Sequence, residues 1–410
     1  MIIVSLQERN LMKSLRLIFS DMQYFAPVWV FASINIVTGT WVLYLPHIKI
    51  KFGFNDAQMG TLFFFMALGL LISIPCVPYI NKKIGVGHST KIGIIAYALL
   101  FNLPPLAPSY WVLCLYLLLI GIASGFTDVS MNALVSTIEK RNQQNFMSAA
   151  HGFFSLGGFI GAGVGSLVII LLPSPSYHML LISSLIILSN ILLFKKYDQV
   201  KEFIEKEAQK SGRIFKDIKP ILALSILAFI SMFNEGAVEH WSNLFLFEVA
   251  QLSHNQSGLG FILFSLTMTL GRFLGDDISY KIGAIRTINY GCILGIGAYL
   301  LVLSSNPYMS TMGFGFLGLG LSVIIPEIFR LAGRTQGISA SLAISTVSGI
   351  GFIGFLIGPI VLGLISYRSS IIMSYVFLLL LVSIALCINW FKIRNTYNTN
   401  ALRNNRRAKK

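Results

Sequence analysis

The sequence predicts an all-α membrane protein with twelve transmembrane helices in two pseudo-symmetric six-helix bundles. Three observations carry this expectation. The 410 residues are 55% hydrophobic and only 11% charged, against roughly 25% charged in a soluble domain. The apolar residues fall in blocks of about 20, the length that crosses a bilayer. Short motifs also recur in the same order in the two halves of the chain.

An N-terminal segment, residues 1–23, precedes the first block. Arg9, Lys13 and Arg16 interrupt its short apolar stretches, and it has no long apolar core or small-residue cleavage site, so no cleaved signal peptide is expected. The first bundle, 24–194, contains spans near 24–47, 57–80, 91–107, 110–137, 145–171 and 175–194. Pro104 and Pro105 should break or kink the chain near the outer end of the short third span. A polar linker, 195–218, reads as partly helical and solvated. The second bundle, 219–391, contains spans near 219–247, 255–275, 286–304, 309–329, 339–366 and 370–391, and a basic tail, 392–410, closes the chain.

Net charge is +15, but the basic residues lie between apolar blocks and at the ends rather than on one amphipathic face, so topology explains them better than nucleic acid does. With a cytoplasmic start, only Lys49, Lys51 and Arg368 fall in outer loops, which places both termini inside. The expected setting is a bacterial inner membrane, with the bilayer as partner and the chain a monomer. Cys76, Cys114, Cys292 and Cys387 sit in apolar blocks without metal-ligand spacing, so they read as core cysteines, with no metal or cofactor.

The internal repeat has three anchors. Gln58 and Gly60 align with Gln256 and Gly258, and the same register brings Lys83-Ile84-Gly85 onto Lys281-Ile282-Gly283. GFIGAGVG at 158–165 matches GFIGFLIG at 351–358. Gly157, Gly161 and Gly165 recur every four residues, as do Gly354 and Gly358, giving each helix a flat stripe for close backbone approach.

Several stretches resemble the major facilitator superfamily, and within it the branch of fucose permeases and their uncharacterised bacterial relatives. They are ASGFTDVSMNALV in the fourth span, HGFFSLGGFIGAG in the fifth, EGAVEHWSNLF in the seventh, GRFLGD after the eighth, GLGLSVIIPEIF in the tenth and GFIGFLIGPIVLG in the eleventh. The resemblance implies two bundles that rock about a central polar site, with the first, fourth, seventh and tenth helices lining the cavity. It departs from the superfamily where the loop after the second span reads Asn81-Lys82-Lys83-Ile84-Gly85: the acidic member of the usual Asp-Arg-x-Gly core is missing. The first span, with Asn35, Thr38, Thr40 and Trp41, also lacks the acid found in fucose permeases, and His240 stands where related proteins tend to have Asp.

An ionised carboxylate at the middle of a membrane helix costs about 2.5 to 3.5 kcal/mol on insertion scales, so it is rare without a use. Asp128, Glu235 and Glu239 are the candidates. Asn132 shares a helix face with Asp128, an arrangement matched in the fucose permeases, and Glu235 shares one with Glu239. Arg272 is the nearest intramembrane cation. A buried carboxyl without a cation can exchange protons near neutral pH, which makes these acids, with His151, candidates for proton coupling. Asn35, Trp41, Asn132, His240 and Trp241 are candidate substrate contacts. Structural readings compete: Asp128 as a hydrogen-bonding acid, His151 as a packed histidine, Trp241 as an interfacial anchor. Lys83, Arg272, Asp276, Glu327 and Arg330 are candidate gate residues, with Glu327 expected to pair with Arg330 or Arg334.

No nucleophile elbow or phosphate loop is present, so an enzyme is not expected. The leading expectation is a proton-coupled carrier of a small polar solute, a sugar or sugar derivative. An efflux carrier for amphipathic compounds is the rival, and a non-transporting membrane sensor the third reading.

Overall fold

The computed structural model describes residues 13–44, 48, 51–53, 56–172, 174–202, 221–252, 256 and 259–393. Lys49, most of the linker, the basic tail from residue 394 onward and Gly258 of the repeat therefore lie outside the described residues. A short helix, Lys13–Ser20, leads into the first span, Met22–Val42, with a bend of 105° between them. Asp21 makes that corner, because its carboxylate accepts the otherwise unpaired amide of Gln23 at 2.8 Å.

The second span, Asp56–Ser73, passes through a 3₁₀ turn at Pro75 into Val77–Ile84. The third is Val86–Leu100, and Pro104 and Pro105 lie in a 3₁₀ turn beyond its end, as expected of residues that cannot extend a helix. The fourth, fifth and sixth are Tyr110–Asn142, Met147–Leu171 and Pro175–Leu193. In the second half the seventh, eighth and ninth spans are Leu222–Glu248, Leu259–Ile282 and Ala284–Leu303. The tenth is broken, Pro307–Ser322 then Ile324–Gly333, because Pro326 would clash with the Ser322 carbonyl four residues earlier. This break is not evident from the apolar pattern. The eleventh and twelfth are Ala340–Arg368 and Ile371–Ile388, begun by Ser339 and Ser370, whose hydroxyls accept the amides of Leu342 and Met373 at 3.2 Å.

Among the described residues, nine helices are long and apolar enough to cross a bilayer, and the bent pair at the start would be a tenth. Large apolar side chains such as Phe159, Leu171, Leu192, Ile360 and Trp111 point outward, which suits lipid rather than water. Cys114 and Cys292 are core residues, whereas Cys76 and Cys387 face outward, correcting the expectation for those two.

The two halves repeat each other in contact as well as in sequence. A Cβ on Gly161 would overlap the carbonyl oxygen of Ile36, and a Cβ on Gly354 would overlap that of Phe229. Both pairs are related by the offset that aligns GFIGAGVG with GFIGFLIG. The first and fifth spans, and the seventh and eleventh, thus touch backbone to backbone. Gly85 and Gly283, aligned by the other register, have φ of 91° and 86° at the turns into the third and ninth spans, a conformation that favours glycine.

The two halves meet at one end of the bundle, called here the linker face because the chain from the sixth span runs beneath it. Along its described length that chain alternates, with Lys195, Lys196, Gln199 and Lys201 exposed and two apolar side chains turned inward. Tyr197 and Val200 are buried, the Gly87 amide donates to the Val200 carbonyl at 3.1 Å, and His88 Nδ1 lies 2.7 Å from the Asp198 carbonyl oxygen. The N-terminal helix also bridges the halves: the Lys13 amide donates to both Asp277 oxygens, at 3.0 and 3.2 Å.

Candidate functional site

A polar chain joins the halves inside the bundle. Asn132, fully buried in the fourth span, donates its amide to the Asp128 carbonyl at 2.9 Å and to Asp128 Oδ1 at 3.3 Å. Its Oδ1 lies 3.0 Å from His151 Nε2 of the fifth span, so that nitrogen carries the proton. The imidazole is set between Phe31 of the first span and Phe329 of the tenth, at ring distances of 5.3 and 5.8 Å. One turn further, the Ser155 hydroxyl donates to the His151 carbonyl at 3.3 Å and accepts from Arg272 Nη1 of the eighth span. Arg272 then pairs through Nη2 with Glu235 of the seventh span at 3.1 Å. Glu235 is 24% exposed and Asp128 half-buried, so both ends of the chain keep contact with solvent-accessible space.

A second polar cluster, built around the expected gate residues, lies on the fourth, fifth, eighth and tenth spans. Arg330, 2% exposed, pairs with Glu139 at 3.2 Å and with Asp276 and Glu327. Its Nη1 also donates to Ser279 at 3.2 Å, and Ser279 donates to Glu327 at 2.8 Å. Arg334 adds a longer contact to Glu139, 3.6 Å. The excess of carboxylates is balanced by the start of the fifth span, whose unpaired amides point at two of them. Phe146 and Met147 donate to Glu139 at 2.6 and 2.8 Å, and Ser148 and Ala149 donate to Asp276 at 3.1 and 2.7 Å.

The polar chain and the Arg330 cluster share three helices. Arg272 and Asp276 are one helical turn apart on the eighth span, His151 follows the gate amides of Ser148 and Ala149 by less than a turn, and Glu139 ends the helix that carries Asp128.

The structure brings together Asp128, Asn132, His151, Arg272 and Glu235 of the expected site, and Asp276, Glu327 and Arg330 of the expected gate. It separates others. Trp41 is 3% exposed and packs on Phe101, and Asn35 donates to the Phe154 carbonyl at 2.9 Å, so both serve contacts within the first half. Trp241 lies against the eleventh span at Gly363, and Glu239 is exposed. The side chain of His240 lies outside the described residues. Lys83 is exposed and lies outside the Arg330 cluster of Glu139, Asp276 and Glu327; the nearby Asn81 is the buried one. Glu139 was missed because IEKRN reads as an ordinary charged helix end, and only the pairing with Arg330, 191 residues away, identifies it.

A model of the Major Facilitator Superfamily matches residues 28–342. An uncharacterised MFS-type transporter of Yersinia pestis is 29% identical over 338 residues, covering 82% of this chain and 86% of that protein. The membrane protein MosC of Rhizobium meliloti is 27% identical over 361 residues, 87% of each. Among solved structures, FucP in the outward conformation superposes with a TM-score of 0.74 at 14% identity, covering 89% of this chain and 97% of that one. A second structure of FucP, described as the E. coli fucose:proton symporter, gives 0.72. At that identity the likeness establishes the fold, and together with the family match over most of the chain it leads to one conclusion: this protein belongs to the Major Facilitator Superfamily.

Proposed function

We propose that this protein is a proton-coupled carrier of a small polar solute, a sugar or sugar derivative, working by alternating access in a bacterial inner membrane with the linker face toward the cytoplasm. The observation that carries the reading is the polar chain from Asp128 through Asn132 and His151 to Ser155, Arg272 and Glu235, because it joins titratable groups of both halves at the place where they move against each other. Closure of the linker face by Arg330 corresponds to the outward-facing state. In this state Arg272 neutralises Glu235, and Asp128 has no lysine or arginine partner among the described residues. Proton uptake by Glu235 would release Arg272, and the Arg272–Asp276 turn would pass that change to the gate. The fucose:proton symport named for FucP supports the substrate class and the coupling.

Asp128→Asn and Glu235→Gln test this, since each keeps size and much of the hydrogen bonding while removing the titratable proton. In liposomes, each variant is expected to retain counterflow but lose accumulation driven by a pH gradient. Full accumulation by both would remove these acids from coupling.

A further inference from the structure

We propose that Glu202, in the linker between the halves, is a gating residue: it supplies the carboxylate that holds the start of the eleventh span closed against the first half, as Asp276 does for the fifth span. The inference rests on alternating access, and its test reads gate opening directly, without substrate.

Internal symmetry identifies the place. The offset that pairs Gly161 with Gly354 pairs Ser148 with Ser341, and each serine is the second residue of its helix. The Ser148 amide is held by Asp276 of the opposite half at 3.1 Å. In the register that aligns Gly85 with Gly283, Asp276 corresponds to Pro78, so the second span has no acid to offer. Asn81 fills part of the gap: buried, it accepts from Ser130 at 3.0 Å and donates to the Ser341 hydroxyl at 2.8 Å. An amide used in this way leaves the Ser341 N–H and hydroxyl proton in need of an acceptor. Glu202 provides both: the Ser341 hydroxyl donates to one carboxylate oxygen, and its amide lies 3.4 Å from the other.

The linker can deliver this group because it is pinned to the first half. Its carbonyls at Asp198 and Val200 are held by His88 and Gly87, so Glu202 reaches the second half from a fixed base. When the face opens, water can replace the carboxylate at Ser341. When it closes, that water is lost, and the helix start needs the acceptor.

Burial pushes the Glu202 carboxyl up to about 7, with the Ser341 amide opposing. The charged groups on the elements around it are Lys82 and Lys83 of the second span, His88 and Lys91 of the third, Asp128, Glu139, Lys140 and Arg141 of the fourth, Arg368 at the far end of the eleventh, and Lys195, Lys196, Asp198 and Lys201 of the linker. Because the carboxyl binds its proton more tightly when closed than at its ordinary value of 4.5 in water, closure is favoured as pH falls from about 7 toward 4.5, and the contribution is lost above that window. A neutral Glu202 still accepts from the serine through its carbonyl oxygen.

The test uses the full chain, with its native cysteines replaced, in inside-out vesicles. The reporter is Ile74→Cys, a buried position facing Gly349 across the two halves. An impermeant maleimide reads how often the face opens. At a pH of about 6, Glu202→Ala is expected to speed labelling roughly tenfold, the scale of a lost buried hydrogen bond. Asn81→Asp added to Glu202→Ala should restore slow labelling by placing a carboxylate beside Ser341. In the parent, labelling should slow as pH falls from about 8 to about 5.5, whereas Glu202→Gln should remain slow and lose that dependence. Unchanged labelling in normally inserted Glu202→Ala overturns the proposal, as does faster labelling that Asn81→Asp does not reverse. If labelling responds as expected but no solute is carried, the gate assignment stands and the transport reading falls.

Discussion

Replacing Arg330 by methionine should open the linker face. The guanidinium is 2% exposed and is shared by Glu139, Asp276 and Glu327, whose side chains are no more than 1% exposed. Removing one partner from a buried ion pair costs about 3 to 5 kcal/mol, because the remaining charge is left without water or a counter-ion. Here two of the acids keep two backbone amides each from the fifth span, while Glu327 keeps the Ser279 hydroxyl. The lower part of that range is therefore expected, about 3 kcal/mol, or roughly two powers of ten in the closed-to-open ratio. The penalty falls on the closed state alone, since opening hydrates the carboxylates. Spin labels at Lys140→Cys and Gln336→Cys, both exposed near this face, report the change as an interspin distance distribution in lipid nanodiscs. Arg330→Met should replace the short population by a longer one, and Arg330→Lys should do so in part, because an ammonium cannot match the fork that meets three carboxylates. Glu327→Gln should perturb far less, as it reduces the surplus of negative charge. An unchanged distribution in folded Arg330→Met would refute the assignment of this cluster as the gate, and equal effects of Arg330→Met and Glu327→Gln would refute the charge reasoning.

Three further outcomes are expected. Gly161→Leu and Gly354→Leu should each lower thermal stability by about 3 kcal/mol or more, since even a Cβ overlaps a carbonyl of the neighbouring span, while Gly163→Leu, where an added Cβ meets nothing, should unfold near the parent Tm. On intact cells, an impermeant thiol reagent should label Ser369→Cys but not Gln199→Cys; labelling of the latter would reverse the orientation. Asn132→Leu should uncouple Asp128 from His151, lowering gradient-driven uptake at least tenfold with little change in yield, whereas Asn132→Gln should recover part of it; equal uptake by the two variants would show that the amide bridge has no part in coupling.

The sequence alone determines that this chain lives in a bilayer and is built twice. Blocks of about 20 apolar residues have no other stable solvent, and the glycine stripes at Gly161 and Gly354 mark where helices must touch, because only a missing side chain permits that approach. Membrane-embedded acids are also visible in sequence, since their insertion cost makes Asp128 and Glu235 conspicuous. The tertiary structure decided their partners. Whether a carboxylate is paired depends on residues brought near it by packing: Arg272 lies 37 positions from Glu235, Arg330 lies 191 from Glu139, and Ser341 lies 139 from Glu202. No periodicity encodes those distances. The aromatic candidates were separated for the same reason, since Trp41 reads as a possible stacking surface along one helix yet is covered by Phe101 from another. Helix spacing fixes which side chains share a face, but only the packing of one helix on the next determines whether that face meets lipid, a cation or the opposite half.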